Sequence, residues 1–221
     1  MAPPETTADI APEPVRLGYC LTQWFVRSTF KLLFGLKIHG RSNVPVRGAF
    51  ILASNHQSLF DPPIVGSTCP REINYAAKKE LFRLPILGAL IRYYNSIPVN
   101  RSGYDRALLT RLDELLTYGN PIIIFPEGHR YLDGNLHQPK LGIGMIASEH
   151  PDVPVVPVYV RDSARIRRQL LRRKLSVTFG RPVYPAQGMS PGNVGKEAYR
   201  YIADRVMAAI AQVGGVAGAG S

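Results

Sequence analysis

The chain has 221 residues, 45% of them hydrophobic, a size that fits one domain with a single large core better than two small domains. Its 27 lysines and arginines against 16 acidic residues give a formal net charge of +11, which favours anionic partners such as phosphate compounds, an acidic carrier protein, a membrane surface or nucleic acid. The two cysteines show no metal-ligand spacing, and no apolar run reaches the roughly 18 residues of a spanning helix, so we expect a cytoplasmic protein without disulfides.

Residues 1–14 contain four prolines, three acids and almost no bulky apolar side chain, so we expect a disordered tail.

Residues 15–36 have the periodicity of an amphipathic helix. Its apolar side carries Leu17, Cys20, Leu21, Trp24, Phe25, Leu32 and Leu36. Its polar side carries Arg16, Gln23, Arg27 and Lys31. This composition favours a helix lying in the interface of an anionic leaflet, where each cation contributes about 1 kcal/mol. The alternative is a helix that packs on its own domain.

From residue 36 onwards, apolar runs of strand length alternate with segments of helical periodicity. We expect strands at residues 36–40, 49–53, 73–77, 96–99, 121–125 and 175–179. We expect helices at residues 58–67, 80–94, 104–118, 141–150 and 196–213. Residues 153–160 are apolar and extended, but their two prolines argue against an ordinary central strand. The alternation predicts an α/β domain over residues 37–213, with a largely parallel central sheet flanked by helices, and a flexible tail at 214–221.

The first candidate site follows the expected strand at 49–53. His56 lies at its end, where a histidine faces a cleft, and Asp61 lies in the first turn of the next helix. Five positions are too many for a helical i,i+4 pair, but a turn would fold the carboxylate back onto the imidazole and stabilise its protonated form. The alternative is an Asp that caps the helix beside an unrelated His. A second candidate site is the loop at 126–130, Pro-Glu-Gly-His-Arg, which follows another buried strand.

Four segments in this order resemble the motifs of the PlsC-like glycerolipid acyltransferase family, over about residues 36–183. They are Asn55-His56 followed by Asp61, the segment 95–101 that ends in Arg101, Phe-Pro-Glu-Gly-His-Arg at 125–130, and Val-Pro-Val-Val-Pro-Val at 153–158. A lysine also precedes the second motif in the family, and here it is Lys78.

The sequence departs from the family's pattern at four positions within or beside these motifs. Asn95 stands in place of glycine, Asn100 of aspartate, His129 of threonine and Tyr131 of serine.

The resemblance implies acyl transfer from a thioester to the hydroxyl of a lysophospholipid, with His56 as general base and Asp61 as the residue that orients it. It places Lys78, Arg101 and Arg130 near the acceptor's phosphate. It also places Glu127 at the acceptor site, holding the glycerol hydroxyl or positioning the arginines, and Gly128 where the backbone approaches closely.

The implied reaction needs no metal and no cofactor, only acyl carrier protein or coenzyme A as the carrier of the acyl group. The favoured acceptor is 1-acylglycerol 3-phosphate, and the alternatives are glycerol 3-phosphate, another lysophospholipid or an aminolipid.

The cationic segment 161–174 is a candidate contact for anionic lipid or for acyl carrier protein. The implied location is the cytoplasmic face of the inner membrane. A nucleic-acid-binding protein is disfavoured, because the chain has no helix-turn-helix, RNP or zinc-finger signature.

Overall fold

The computed structural model describes residues 15–99, 106–164, 166, 170, 172–189 and 195–216, and the expected tail at 1–14 lies outside them. The described residues form strands β1 (Lys37–His39), β2 (Ile51–Ser54), β3 (Tyr75–Lys78), β4 (Ser96–Val99), β5 (Ile122–Ile124), β6 (Val155–Arg161) and β7 (Ser176–Phe179). Their helices are α1 (Leu17–Phe34), α2 (Asp61–Thr68), α3 (Pro85–Tyr93), α4 (Arg106–Thr117), α5 (Leu141–Glu149) and α6 (Lys196–Gly214). None of these helices is both long and apolar enough to cross a membrane.

The strands form one five-stranded sheet in the order β1-β7-β6-β2-β5 and a parallel pair, β3-β4. All neighbours are parallel except β6 and β7. A bridge between Asn74 and Ile122 joins the pair to β5, with hydrogen bonds of 3.0 Å from Asn74 N to Pro121 O and from Ile123 N to Asn74 O. The expected largely parallel sheet is therefore confirmed. Its parallel strands β6, β2, β5, β3 and β4 all end at the same edge.

The core lies on both faces of the sheet, which explains why β2 is apolar without alternation. Leu52 packs with side chains of α1 and α2 on one face. Ile51 and Ala53 pack with side chains of α4, α5 and α6 on the other. Since a strand buried on both faces has no solvent side, each of its residues is apolar or hydrogen-bonded. Helices on both faces of a mostly parallel sheet give the α/β architecture that the sequence predicts.

The expectation that two prolines would keep residues 153–160 out of the sheet's centre is wrong, because β6 lies between β7 and β2. Pro154 precedes the strand, and its carbonyl accepts a hydrogen bond from Ile51 N at 3.0 Å. Pro157 sits inside the strand, with its carbonyl bonded to Gly180 N at 2.8 Å, just past the end of β7. In an extended residue the backbone N and O point to the same neighbouring strand. The nitrogen of Pro157, which has no N–H, therefore faces the β7 side at Gly180, one residue past the end of β7 at Phe179.

The single helix expected at residues 80–94 is also wrong, because two helical segments occupy this stretch. Residues Lys79–Arg83 form a 3₁₀ turn, and α3 begins at Pro85. Leu84 between them is extended, with φ −75° and ψ 125°. A proline disfavours the helical conformation in the residue before it, so Pro85 starts a new helix instead of continuing the first. The leucines at helical spacing gave no sign of this interruption.

Helix α1 docks on the domain through a side that buries Tyr19, Gln23 and Phe30, and it leaves an apolar stripe on its other side exposed. Gln23 is 6% exposed and donates from Nε2 to Gly66 O at 2.8 Å and to Cys69 O at 3.0 Å. These two carbonyls belong to the end of α2, where backbone oxygens lack helical partners. By contrast, the neighbouring Trp24 and Phe25 are 60% and 65% exposed. The apolar stripe of α1 that contains Trp24 and Phe25 is thus not part of this domain's core.

We expect Gln23→Leu to lower the free energy of unfolding by about 1–3 kcal/mol, because the substitution leaves two buried carbonyls without their donor. We expect Trp24→Ser to change it by less than about 0.5 kcal/mol, since the lost side chain is mostly in solvent. Urea unfolding followed by circular dichroism measures both, and it avoids fluorescence, which would change with the single tryptophan of the chain. A larger loss for Trp24→Ser than for Gln23→Leu would mean that α1 docks by its other side.

Candidate active site

The side chain of Asn55 determines where the chain leaves the sheet after β2. Its Nδ2 donates to Val160 O at 3.0 Å, and its Oδ1 accepts from Val160 N at 2.7 Å. This amide therefore replaces the backbone partner that β6 would otherwise lack, and it extends the β2–β6 ladder by one position. The next residue, His56, projects at the carboxyl edge of the sheet, the edge at which α/β proteins bind their ligands.

The side chain of Asp61 stabilises the turn that follows β2. It is fully buried at the first position of α2, and its Oδ2 accepts backbone N–H groups from Gln57 and Ser58, both at 2.6 Å. The same oxygen lies 3.1 Å from His56 Nδ1. Of the two alternatives left open by the sequence, the structure shows the contact between the carboxylate and the ring, because Asp61 bonds amides of the turn before α2 and no side chain among the described residues caps the helix. Since a carboxylate only accepts, Nδ1 carries the proton and Nε2 keeps its lone pair.

The backbone and ring of His56 are held by the segment that follows β5. His56 N donates to Glu127 Oε2 at 2.7 Å, and His56 O accepts from Tyr131 N at 3.0 Å. The ring stacks on Phe125 with centroids 4.2 Å apart. Its Nε2 forms no hydrogen bond with any residue that the structure describes, and the side chain remains 8% exposed. The ring is thus fixed while its basic nitrogen is left for a ligand.

Glu127 is fully buried and connects two loops. Its second oxygen, Oε1, accepts a hydrogen bond from His137 N at 3.0 Å. Burial raises the pKa of this carboxyl group, although the N–H groups of His137 and His56 act in the opposite direction. The sequence led us to expect that Glu127 would contact the acceptor directly. In the structure, both of its carboxylate oxygens already accept backbone hydrogen bonds, from His56 N and His137 N.

Gly128 follows in a left-handed conformation, with φ +71°. A Cβ there would lie 2.9 Å from Lys140 Cγ, so both the backbone angle and the space require glycine.

Two of the three expected phosphate-binding cations, Lys78 and Arg130, lie at the same edge of the sheet and follow different strands. Lys78 is the exposed last residue of β3. Arg130 is exposed and immediately precedes Tyr131, whose amide contacts His56. Arg101 follows the end of β4 by two positions but lies outside the described residues, as does Asn100. Lys78 and Arg130 thus join His56 at the carboxyl edge of the sheet.

Asn95, which replaces the glycine of the family motif, lies at the opposite edge, before β4. Its φ is +55°, a left-handed conformation that asparagine tolerates better than most residues, so the departure keeps the backbone shape of a glycine. Its side chain bonds Arg16 and Glu72. These residues help to line a polar cavity of about 390 Å³ at the amino ends of β3, β4 and β5, which places it away from His56.

Sequence reasoning missed the supporting roles of Asn55, Phe125, Tyr131 and His137. Two of these, Tyr131 and His137, act through backbone N–H groups, which every residue except proline has, so no side-chain pattern could reveal them. Asn55 and Phe125 belong to recognised motifs, but their partners are distant in sequence. Among the described residues, no group of three or more His, Cys, Asp or Glu side chains is arranged to hold a metal ion.

The part of the chain that contains this site matches a known protein family. The acyltransferase family model matches residues 35–161, which include β2, β5 and both site loops. A 1-acyl-sn-glycerol-3-phosphate acyltransferase of Bacillus subtilis is 26% identical over 154 residues, covering 69% of this chain and 75% of the relative. The human beta form of that enzyme is 31% identical over 140 residues, which are 61% of this chain. The chain spans only half of the human protein's length.

A solved structure with the same architecture is the 1-acyl-sn-glycerophosphate acyltransferase of Thermotoga maritima. It is 28% identical, with a TM-score of 0.69, and the match covers 89% of this chain and 78% of that one. The similarity therefore extends over both faces of the sheet and is not limited to the loops around His56.

Proposed function

The chain belongs to the acyltransferase family, and from this premise we propose that it moves a fatty acyl group from acyl carrier protein or coenzyme A to the sn-2 hydroxyl of 1-acylglycerol 3-phosphate, giving phosphatidic acid. Its named relatives put it in the 1-acylglycerol-3-phosphate O-acyltransferase class of enzymes. The observation that carries the finer proposal is the contact of His56 Nδ1 with the buried Asp61, which leaves Nε2 available.

The chemistry follows from the charge that each group holds. His56 Nε2 takes the proton of the acceptor hydroxyl as the hydroxyl oxygen attacks the thioester carbonyl. Asp61 stabilises the resulting imidazolium, because its fully buried carboxylate lies 3.1 Å from Nδ1. The tetrahedral intermediate then collapses, the carbon–sulfur bond breaks, and the leaving thiolate takes the proton back from His56. The ring returns to its starting state without a metal or a redox group.

The acceptor's phosphate is the group that Lys78, Arg101 and Arg130 would bind. Of the described pair, Lys78 ends β3 and Arg130 lies in the loop after β5, the strand that the Asn74–Ile122 bridge joins to the β3-β4 pair. An arginine fork matches two oxygens of a phosphate, whereas lysine acts as a point charge. The cations would thereby hold the glycerol hydroxyl near His56, and a fixed geometry of this kind supplies much of the rate.

The second candidate keeps this chemistry but changes the acceptor to glycerol 3-phosphate, another lysophospholipid or an aminolipid. The observation that favours it is the composition of the loop after β5, where His129 and Tyr131 replace the family's threonine and serine. A panel of these acceptors, offered with one labelled acyl thioester, separates the two candidates.

An anionic membrane surface is the partner that best explains the exposed side of α1. Its outward stripe is Leu17, Leu21, Trp24, Phe25 and Leu32, each more than half exposed. Arg27 and Lys31 lie between this stripe and the docked side, where their long side chains reach phosphate headgroups. We infer peripheral attachment at the cytoplasmic face of the membrane, with the stripe among the acyl chains.

We expect His56→Ala to lower the rate of acyl transfer to lysophosphatidic acid by about a hundredfold to ten-thousandfold, because the acceptor hydroxyl loses its base. His150→Ala is the matched control, since His150 Nε2 also contacts a carboxylate, Asp113 Oδ1 at 2.8 Å, but away from the catalytic edge. The measurement is initial rate with labelled thioester. Wild-type rates in His56→Ala would exclude the proposed base.

We expect Arg130→Ala to raise the KM for lysophosphatidic acid by about tenfold to a hundredfold, as a charge-assisted hydrogen bond to phosphate is lost, while the KM for the thioester stays unchanged. Arg111→Ala serves as the control, because Arg111 is a surface cation that pairs with Glu114 on α4. Steady-state kinetics with each substrate varied in turn gives both constants. An unchanged acceptor KM would place phosphate binding elsewhere.

We expect the double variant Trp24→Ser and Phe25→Ser to weaken binding to vesicles of phosphatidylglycerol and phosphatidylcholine by at least about tenfold, because two aromatic side chains no longer leave water. Tyr118→Ser is the control, since Tyr118 is 80% exposed but lies beyond the end of α4. Co-sedimentation measures the bound fraction. Equal binding of the double variant and the control would contradict the proposed orientation of α1.

A further inference from the structure

Glu127 occupies a position relative to His56 that the register of the sheet determines. Strands β2 and β5 are parallel neighbours, with Ala53 opposite Ile124. His56 and Glu127 each lie three positions beyond that pair, so the two chains leave the sheet side by side. The short contact of 2.7 Å between His56 N and Glu127 Oε2 follows from this equal spacing.

We propose that Glu127 is a positioning residue for the base, and that its buried carboxylate fixes the backbone of His56 and of the loop that carries Arg130, instead of binding the acceptor. This inference rests on the proposed function, in which His56 takes the proton. It differs from one role implied by the resemblance, in which this glutamate holds the glycerol hydroxyl, and it extends the other, in which the glutamate positions the arginines, to the backbone of His56.

The contacts of Glu127 argue against a ligand-binding role. Its side chain is fully buried, so a bound lipid headgroup has no direct access to the carboxylate. Both oxygens already accept backbone N–H groups, from His56 at 2.7 Å and from His137 at 3.0 Å. Backbone donors aimed at an ionised carboxylate are strong hydrogen bonds that restrict both loops at once.

The loop beyond Glu127 is organised by the same carboxylate. The His137 ring stacks on Tyr131 with centroids 3.6 Å apart, and His137 Nε2 lies 2.9 Å from Asp133 Oδ2. Tyr131 in turn donates its backbone N–H to His56 O. Glu127 therefore closes a ring of contacts that runs from His56 through Tyr131 and His137 and back to its own second oxygen. Arg130 immediately precedes Tyr131, one member of this ring of contacts.

The consequence for catalysis is geometric. The direction of His56 Nε2 depends on the ring's contact with Asp61 and on the position of the His56 backbone, and only Glu127 holds the amide of that backbone. A displacement of about 1 Å in a reacting group costs about a hundredfold in rate. Loss of the His56 N contact therefore lowers the rate of the chemical step more than it weakens binding of the acceptor.

The test compares Glu127→Gln with Glu72→Gln. Glutamine keeps the size of the side chain, but its NH₂ group faces one of the two backbone N–H groups, so only one contact survives. Glu72 is the matched control because its Oε1 also accepts a backbone N–H, that of Arg16 at 2.7 Å, at the opposite edge of the sheet. We expect kcat to fall about tenfold to a hundredfold in Glu127→Gln, with the acceptor KM changed less than about twofold, and neither constant to change in Glu72→Gln.

A raised acceptor KM with unchanged kcat in Glu127→Gln would overturn the proposal and make Glu127 an acceptor ligand. Failure of the proposed function itself would show differently, as wild-type turnover in His56→Ala. If Glu127→Gln does not fold, Glu127→Asp keeps the charge on a side chain one methylene too short to reach both amides, and we expect the same loss of kcat.

Ring ¹⁵N signals of the five histidines provide a readout that general destabilisation would not change. With the His56 signal identified from the spectrum of His56→Ala, we expect Glu127→Gln to shift the ring signals of His56 and His137 and to leave that of His150 in place. A loss of kcat with an unshifted His56 signal would also overturn the proposal.

Discussion

The site depends on one buried carboxylate oxygen, Asp61 Oδ2. A charge that is removed from water must be paired, and the amides of Gln57 and Ser58 together with the ring of His56 supply the partners. Because Asp61 is also the first residue of α2, these contacts attach the turn to a helix that packs against the core. The same need for charge compensation that closes the turn therefore determines which nitrogen of His56 faces the carboxylate and which is left for a ligand.

Two carboxylates act on His56 in different ways. Asp61 contacts the ring, and Glu127 contacts the backbone amide, so the first determines the tautomer and the second the location. Neither carboxylate could replace the other. If the backbone of His56 moved, the direction of Nε2 would vary even with the ring fixed by Asp61, and if the ring rotated, it would vary even with the backbone fixed by Glu127. The parallel pairing of β2 and β5 makes this arrangement possible, because parallel strands deliver the loops after both strands to one edge. An antiparallel pairing would send Glu127 to the opposite edge from His56.

The sequence predicts the parts of this structure that depend on local patterns. The burial of β2, the start of α2 near Asp61 and the contact between Asp61 and His56 all lie within a dozen residues. The local pattern suggested the first two, whereas it left the contact open and the family resemblance favoured it. The sequence could not predict the parts decided by distant partners. Pro157 is tolerated in a central strand because β7 ends opposite it, and Gln23 is buried because it meets the carbonyls at the end of α2. Glu127 was recognised by its motif, but its partners are two backbone amides that carry no sequence signal.

The orientation of α1 has a consequence for how a lipid would reach His56. The helix packs on α2, and the Phe30 ring of α1 lies 5.9 Å from that of Phe60, the residue before Asp61. Phe60 and Leu59 are themselves 45% and 68% exposed, within the turn that carries His56. Exposed apolar side chains are therefore present both on the outward stripe of α1 and in the turn beside His56. Under the proposed function, a lysolipid can keep its acyl chain in the membrane while its hydroxyl reaches His56, because the same helix, α2, supports both the membrane-facing α1 and Asp61. The cost of withdrawing an acyl chain fully into water, about 0.8 kcal/mol for each methylene, is then avoided.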